Sequence, residues 1–140
     1  MTALSYAAKG TRLQMGDGAT PEVFTDLANL GDVDGPNSKL ETLDVTHHGS
    51  AAKEYAATIV DGGEVKFSGN YDPADTTHKA AIAAHKAGTL KNFKLNFPAA
   101  VAAGPTFSAF ITDIQTKAPV SGKLSIEVTL KISGLVVWPA

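Results

Sequence analysis

The stretch that decides the fold is residues 123–133, which read Lys-Leu-Ser-Ile-Glu-Val-Thr-Leu-Lys-Ile-Ser. Apolar and polar residues alternate along it without a break, which is the pattern of a β-strand with one buried and one wet face. At about 3.3 Å per residue the stretch would span roughly 36 Å, longer than a usual strand. We therefore predict a long strand, and the residues on its buried face are Leu124, Ile126, Val128, Leu130 and Ile132.

Shorter pieces of the same pattern predict further strands along the chain. Each combines alternating or β-branched apolar residues with a flanking turn. They fall at residues 93–97, 107–114, 65–67, 43–45 and 13–15. The segments predicted to be loops are residues 31–37, 47–57 and 98–105.

One α-helix is predicted at about residues 73–87. Asp72 and Pro73 suit the N-cap and the first helical position, and Asp75 would lie in the first turn. The body is rich in alanine, and Gly88 is a natural stop. Because the segment has a single large apolar residue, we expect it to pack through small side chains at short distance.

The order of these elements predicts a mainly β (α+β) fold, a β-sandwich or barrel of long antiparallel strands with one flanking α-helix. With 140 residues, the chain has the length of one domain. We expect a single domain over residues 1–140, with a flexible N-terminal arm at about residues 1–9. A domain of this size buries enough surface to fold without disulfides, and the sequence has no cysteine.

The residues give no sign of a catalytic, cofactor or metal site. There is no nucleophile elbow and no phosphate-binding glycine loop, and cysteine chemistry is excluded by composition. His47 and His48 are adjacent, while His78 and His85 are seven residues apart, whereas a chelating pair on a helix needs a step of four. We interpret all four as surface histidines and predict no catalytic residue, no cofactor, no metal and no enzymatic activity.

Charge is placed unevenly along a chain whose net charge is −2. Residues 1–75 carry five Lys/Arg and twelve Asp/Glu, and residues 76–140 carry seven Lys and two Asp/Glu. The two sets either mix on folding or form an acidic and a basic surface that meet between copies of the chain. A near-neutral chain with one arginine has no electrostatic footprint for tight nucleic-acid binding. No stretch approaches the ~20 apolar residues of a membrane span, so we expect no membrane partner.

Four segments, in a fixed order, carry a resemblance to a known family. The first is residues 39–50, Lys-Leu-Glu-Thr-Leu-Asp-Val-Thr-His-His-Gly-Ser, and the second is residues 53–56, Lys-Glu-Tyr-Ala, followed by residues 61–73, Asp-Gly-Gly-Glu-Val-Lys-Phe-Ser-Gly-Asn-Tyr-Asp-Pro. The third is the helix after Pro73. The fourth is residues 131–139, Lys-Ile-Ser-Gly-Leu-Val-Val-Trp-Pro. Together they resemble the major tail tube protein of long-tailed bacteriophages over about residues 39–139.

The resemblance implies a structural virion protein. In that family six copies of a sandwich-like β fold form a ring, and the rings stack into a hollow tail tube, a fold similar to the tubes of contractile tails and type VI secretion systems. The implied partners are other copies of the chain, a tape measure protein in the lumen, and tail terminator and distal tail or baseplate proteins. Double-stranded DNA would pass through the tube without specific binding. The implied location is the phage tail, with assembly in the host cytoplasm.

The segment 47–63 is expected to be an assembly loop that contacts a neighbouring subunit or the next ring. It is longer than an ordinary hairpin loop and too apolar for a purely solvated one. In the alternative, its apolar residues simply cover the subunit's own core. The residues proposed for the interface are Ser50, Lys53, Glu54, Tyr55 and Ile59.

Two other classes of function compete with a structural virion protein. A small-ligand or carbohydrate-binding β-sandwich module would need aromatic platforms, and the chain has one Trp and three Tyr. An enzyme on a β scaffold would need motifs that the sequence lacks. Gel filtration with electron microscopy distinguishes them, because only the first class forms rings or tubes.

Overall fold

The computed structural model describes residues 7–98 and 104–139. Within these residues the chain forms nine strands and one helix. In chain order they are β1 (Arg12–Gly16), β2 (Phe24–Asp26), β3 (Leu30–Asp34), β4 (Lys39–Asp44), β5 (Tyr55–Asp61), β6 (Glu64–Asn70), α1 (Thr76–Ala87), β7 (Lys91–Asn96), β8 (Thr106–Lys117) and β9 (Ser125–Ile132).

Seven strands form one antiparallel sheet in the order β2-β1-β7-β8-β9-β6-β3. The other two, β4 and β5, pair with each other in a separate antiparallel hairpin. Among the described residues the large sheet does not close on itself, so β2 and β3 are its two edges. The predicted fold class, mainly β with a single flanking helix, is confirmed.

The core lies on one face of the large sheet, as the alternation in the deciding stretch predicts. In β9 the apolar row is buried from Ile126 to Ile132 while the polar residues between are exposed or half-buried. The register extends this row sideways, because Leu130 lies opposite Val65 on β6 and opposite Ile111 on β8. The strand is shorter than the predicted stretch of 123–133, since it begins at Ser125.

Two of the predicted loops are partly strands. Residues 31–37 contain most of β3, which carries two aspartates and a glycine and therefore has little intrinsic strand propensity. Its pairing with β6 along the sheet edge supplies the order that the sequence does not signal. Residues 47–57 were predicted as a loop, yet β5 begins at Tyr55, and its exposure on both faces removes the alternation that would reveal it. Of the third predicted loop, residues 99–103 lie outside the described residues, as do residues 1–6 of the predicted arm.

The helix begins later than predicted because Asp75, and not Asp72, is its N-cap. The Asp75 carboxylate accepts hydrogen bonds from the backbone N–H groups of Thr77 and His78 and from the Thr77 hydroxyl. Asp72 instead closes the preceding turn, where its carbonyl accepts from the Asp75 N–H at 3.1 Å. Both aspartates suit an N-cap, and the additional bond from Thr77 favours the second one.

The other end of the helix and its mode of packing are as predicted. Gly88 ends α1 in the left-handed conformation, with φ 67°, which glycine adopts without steric cost. The face turned to the core presents His78, Ala81 and Ala84, so the helix approaches the sheet closely. His85 also reaches the sheet, since its Nδ1 lies 2.9 Å from the Ile111 carbonyl oxygen.

His78 is not the surface histidine that the sequence predicts. It is buried between α1 and the chain that links β2 to β3. Its Nδ1 accepts from the Asp72 N–H at 3.2 Å, and its Nε2 lies 2.8 Å from the Ala28 carbonyl oxygen. The ring can be buried because both nitrogens have partners.

A candidate assembly surface

The β4–β5 hairpin stands apart from the core of the subunit. Every residue of β4 is exposed, and Ala56 is the only residue of β5 that is half-buried. At the base of the hairpin, Gly63 has φ 79°, and a Cβ there would lie 2.0 Å from the Asn37 carbonyl oxygen. Only glycine fits this crossing, which holds the two strands of the hairpin together where they leave the body.

The hairpin has large apolar side chains on both of its faces. Leu40 pairs with Val60 and Leu43 with Ala56, and β5 carries one extra residue between these pairs. Because side chains alternate along β4, Leu40 and Leu43 point to opposite faces. The exposed fractions are 52% for Leu40, 57% for Leu43, 44% for Val45, 56% for Tyr55, 71% for Ile59 and 39% for Val60. Large apolar side chains exposed together in one element often mark interaction sites in soluble proteins.

The tip of the hairpin is held by a local polar network. The Ser50 hydroxyl donates to the Glu54 carboxylate and accepts from the His47 N–H at 3.1 Å. The Glu54 N–H donates to the Thr46 hydroxyl at 2.8 Å, and the His47 ring lies 3.6 Å from the Glu54 carboxylate. Ser50 and Glu54 therefore satisfy each other within the tip, whereas Lys53 is exposed beside them.

These positions correct the expectation of a single loop over residues 47–63. Ser50, Lys53 and Glu54 lie in the tip, while Tyr55 and Ile59 lie on β5. In the subunit Tyr55 and Ile59 do not cover the core, because both are exposed. The sequence analysis assigned no interface role to β4. An interface role for β4 could have been predicted from its two leucines, because the other residues of the strand are mostly polar.

The face of the large sheet opposite the core is mainly polar. Towards the β2 edge, Asn96 donates to Gln14 at 2.6 Å and Ser108 donates to Asn92 at 2.5 Å. Towards β3 the same face is charged and forms an open groove of about 530 Å³. The charged residues that line the groove are Asp32, Asp34, Lys66, Asp113 and Glu127. Four acids against one lysine give this part of the face a negative charge.

Two further findings concern the described residues only. Within residues 7–98 and 104–139, no group of three or more His, Asp or Glu side chains is placed to bind a metal ion. In the same part of the chain, no helix is long and apolar enough to cross a bilayer.

An open sheet with one polar face and an exposed apolar hairpin are features expected of a subunit in a larger assembly. The chain belongs to the lambda phage tail tube protein family, whose model matches residues 6–138. This confirms the resemblance to phage tail tube proteins. No curated protein matches the sequence.

Solved structures share the fold at low sequence identity. A chain from the virion of a native gene transfer agent particle superposes with a TM-score of 0.77 at 20% identity, covering 97% of this chain and 100% of that one. A chain from the tail of an empty gene transfer agent particle, refined with C6 symmetry, gives 0.72 at 22% identity over 91% and 96%. The SPP1 tail tube gives 0.69 at 14% identity over 92% and 77%. By its family the chain is a tail tube protein, and it shares the fold of these phage and gene transfer agent proteins.

Proposed function

We propose that six copies of this tail tube protein form a ring, that the rings stack into a hollow tube, and that double-stranded DNA passes through its lumen. The observation that carries the proposal is the open seven-stranded sheet, which among the described residues has two unpaired edges and one polar face. A sheet edge exposes unpaired backbone groups, and joining edges between copies satisfies them. The C6 symmetry of the gene transfer agent tail supports six as the number of copies.

The polar face of the sheet is the one that would line the lumen. Its charged groove is lined by four acids and one lysine, so this part of the face does not attract a phosphate backbone. A conduit needs this property, because each phosphate contact would add affinity and slow the passage of DNA. We expect free protein to show no saturable binding to a DNA duplex at about 150 mM salt. Submicromolar affinity for the duplex in a fluorescence anisotropy titration would contradict the proposal that the tube is a conduit for DNA.

The hairpin would supply part of the contact between subunits. Its proposed interface residues are Ser50, Lys53, Glu54, Tyr55 and Ile59, to which the structure adds Leu40 and Leu43. A stable contact buries about 800 Å² on each partner, more than a single hairpin provides. We therefore propose that the hairpin acts together with the β2 and β3 edges and the N-terminal arm.

The remaining partners are those that the resemblance to tail tube proteins implies. Head-to-tail stacking of rings is open-ended, so other proteins must fix both ends and the length. We propose a terminator at one end, distal tail or baseplate proteins at the other, and a tape measure protein in the lumen during assembly. Assembly would take place in the host cytoplasm, and the role includes no catalysis and no cofactor.

The test is electron microscopy of the purified protein at rising concentration, with light scattering after gel filtration. We expect rings or tubes of uniform diameter and masses in steps of six subunits. A compact monomer at every concentration would contradict the proposal. Glycan binding by such a monomer would favour the alternative of a carbohydrate-binding β module.

A further inference from the structure

We infer that His78 forms an acid-sensitive latch between the first turn of α1 and the linker of residues 27–29, which joins β2 to β3. The neutral ring closes this latch, and a second proton on the ring releases it. The inference concerns the folded subunit and stands whether or not the chain forms tubes. Three features carry it: the bonds that fix the protonation state of the ring, the place of the linker in the fold, and the contrast with His85.

The partners of His78 fix which of its ring nitrogens carries the proton. A backbone N–H can only donate a hydrogen bond, and a backbone carbonyl can only accept one. The Asp72 N–H donates to Nδ1 at 3.2 Å, so Nδ1 carries no proton. The Ala28 carbonyl oxygen lies 2.8 Å from Nε2, so Nε2 carries the proton. The folded state therefore requires a neutral ring in one defined tautomer.

A second proton on the His78 ring is incompatible with this arrangement. The proton would go to Nδ1, where it would face the Asp72 N–H, and two donors would meet without an acceptor. The charge would also be buried, since the residue is 6% exposed, and it would lie in the first turn of a helix, where the dipole disfavours a cation. We therefore expect the ring to leave its site when it takes up the proton, which frees the Ala28 carbonyl.

The titratable groups around the ring alter this balance but do not replace the lost bond. The Asp75 carboxylate caps α1, and its charge favours a proton on the ring. Among the described residues it makes no hydrogen bond to the ring, since both ring nitrogens have backbone partners. The Asp72 carboxylate accepts from the Ala74 N–H at 3.0 Å, and the Tyr71 ring packs with its centroid 5.9 Å from that of the imidazole. The linker of residues 27–29, Leu-Ala-Asn, has no titratable side chain.

The latch holds the connection between the two edges of the large sheet. Both backbone groups of Ala28 bond to α1: its N–H donates to the Thr77 hydroxyl at 3.1 Å, and its carbonyl accepts from His78. The linker joins β2 and β3, which are the two edge strands of the seven-stranded sheet. Release of the ring would therefore free the middle of this connection, while β2 and β3 keep their pairing with β1 and β6.

His85, on the same helix, has the opposite tautomer and the opposite response to acid. Its Nδ1 lies 2.9 Å from the Ile111 carbonyl oxygen, so Nδ1 carries the proton. A second proton goes to Nε2 and leaves this bond intact. The added charge lies in the last turn of α1, where the dipole favours a cation, although Lys86 beside it has the same charge. On β8 the titratable residue nearest in sequence to Ile111 is Asp113, which lines the groove on the polar face of the sheet. Acid should therefore release the first turn of α1 and leave the last turn attached.

Nitrogen NMR of the full chain tests the two tautomers directly. The chain is labelled with ¹⁵N-histidine and studied below the concentration at which it assembles, and through-bond correlations assign each ring. A protonated ring nitrogen is resolved from an unprotonated one by its chemical shift. In neutral solution we expect His78 to have the proton on Nε2 and His85 to have it on Nδ1. A protonated Nδ1 on His78, or a mixture of its tautomers, would overturn the inference.

Hydrogen exchange of the wild-type chain tests the release. A solvent-exposed imidazole titrates near pH 6.5, so lowering the pH from about 7.5 to about 5.5 should shift the balance towards the released state about tenfold. The protection factors of the Ala28 and Asp72 amides should fall by this factor, while that of Leu130 in the core should stay within about twofold. Unchanged protection at Ala28 and Asp72 would overturn the latch.

Removing the titrating ring gives a second measurement by urea denaturation. Between about pH 7.5 and about pH 5.5, the unfolding equilibrium constant should rise about tenfold less for His78→Gln than for the wild-type protein, because glutamine takes up no proton. The matched control His85→Gln removes a ring from the same helix and should keep the wild-type pH dependence. A His78→Gln variant that follows the wild-type pH dependence would overturn the inference. If this variant does not fold, the exchange measurement on the wild-type chain decides.

Discussion

The large sheet and the β4–β5 hairpin are built from the same antiparallel pairing but differ in what stabilises them. In the sheet, alternation places every large apolar residue of β9 on one face, and Leu130 has no exposed surface. In the hairpin, Leu40 and Leu43 lie on opposite faces and both are more than half exposed. The sheet therefore contains its own core, whereas the described residues of the subunit leave the apolar side chains of the hairpin exposed.

This difference predicts two levels of stability within one chain. An isolated two-stranded hairpin is marginally stable in water, while a sheet with a packed face is stable by itself. In the free subunit we expect the hairpin to open locally without unfolding the body. Substitutions in the sheet should then change folding, and substitutions in the hairpin should change assembly.

The largest effect on folding is expected from a charge placed on the buried face of β9. Ile126→Asp buries a carboxylate without a partner and should lower the free energy of unfolding by at least about 3 kcal/mol. Thr129→Asp lies on the polar face between Lys66 on β6 and Asp113 on β8, whose opposite charges offset each other, so it should change this free energy by less than about 1 kcal/mol. Urea denaturation followed by circular dichroism measures both. Similar losses from the two variants would contradict the assignment of the faces.

A smaller but sharper contrast comes from removing the same side chain from each region. Leu130→Ala leaves a cavity in the core and should cost about 3 kcal/mol of unfolding free energy. Leu43→Ala removes an exposed side chain and should cost less than about 0.5 kcal/mol. The hairpin variant should instead need a higher concentration to form tubes. If Leu43→Ala destabilises the free subunit as much as Leu130→Ala, the hairpin is part of the folded core.

The smallest expected effect is on stability at low pH, and it concerns two aspartates whose pKa values are lowered by hydrogen bonds. The pKa of Asp75 is lowered from 3.8, first by the Thr77 hydroxyl and then by backbone N–H groups of α1. The Thr46 hydroxyl and N–H lower the pKa of Asp44 in the hairpin. A lowered pKa stabilises the fold above the unfolded value, and this stability is lost as pH falls through the folded value.

Only the aspartate on the body should affect global unfolding. Asp75→Asn retains a side chain that can cap the helix, so the melting temperature near neutral pH should change little. Below about pH 4 the variant should lose less stability than the wild-type protein, because a titrating group is gone. Asp44→Asn should leave the pH dependence of the melting temperature of the free subunit unchanged. Thermal melts between pH 2 and 7 provide the comparison, and an equal response from both variants would contradict separate stability of the hairpin.

The sequence predicts those parts of the fold that bury a periodic face. Residues 123–133 and 93–97 identified β9 and β7 because each strand has one buried and one wet face. The exposed strand β5 and the acidic edge strand β3 were missed because neither has such a face. Their pairing depends on β4 and β6, and a sequence pattern does not reveal it.

The five residues proposed for the interface lie on the hairpin and its tip, and their role in assembly stays a prediction. Tyr55 and Ile59 were identified from their apolar character, and both are exposed on the hairpin. Leu43 was predicted as a strand residue at 43–45 without an interface role, since an exposed strand and a buried one look alike at this length. His78 was misread because its burial depends on two backbone partners, at Asp72 and Ala28, that are distant or outside the helix.

The most direct test of the central claim is to remove the hairpin and look for tubes. Lys39 and Asp61 pair at its base, so residues 40–60 can be replaced by Asn-Gly, which favours a tight two-residue turn. The account predicts a folded subunit with a cooperative thermal melt that forms no tubes by electron microscopy at concentrations where the wild-type protein does. Tubes of wild-type diameter from this variant, or a chain that no longer folds, would contradict it.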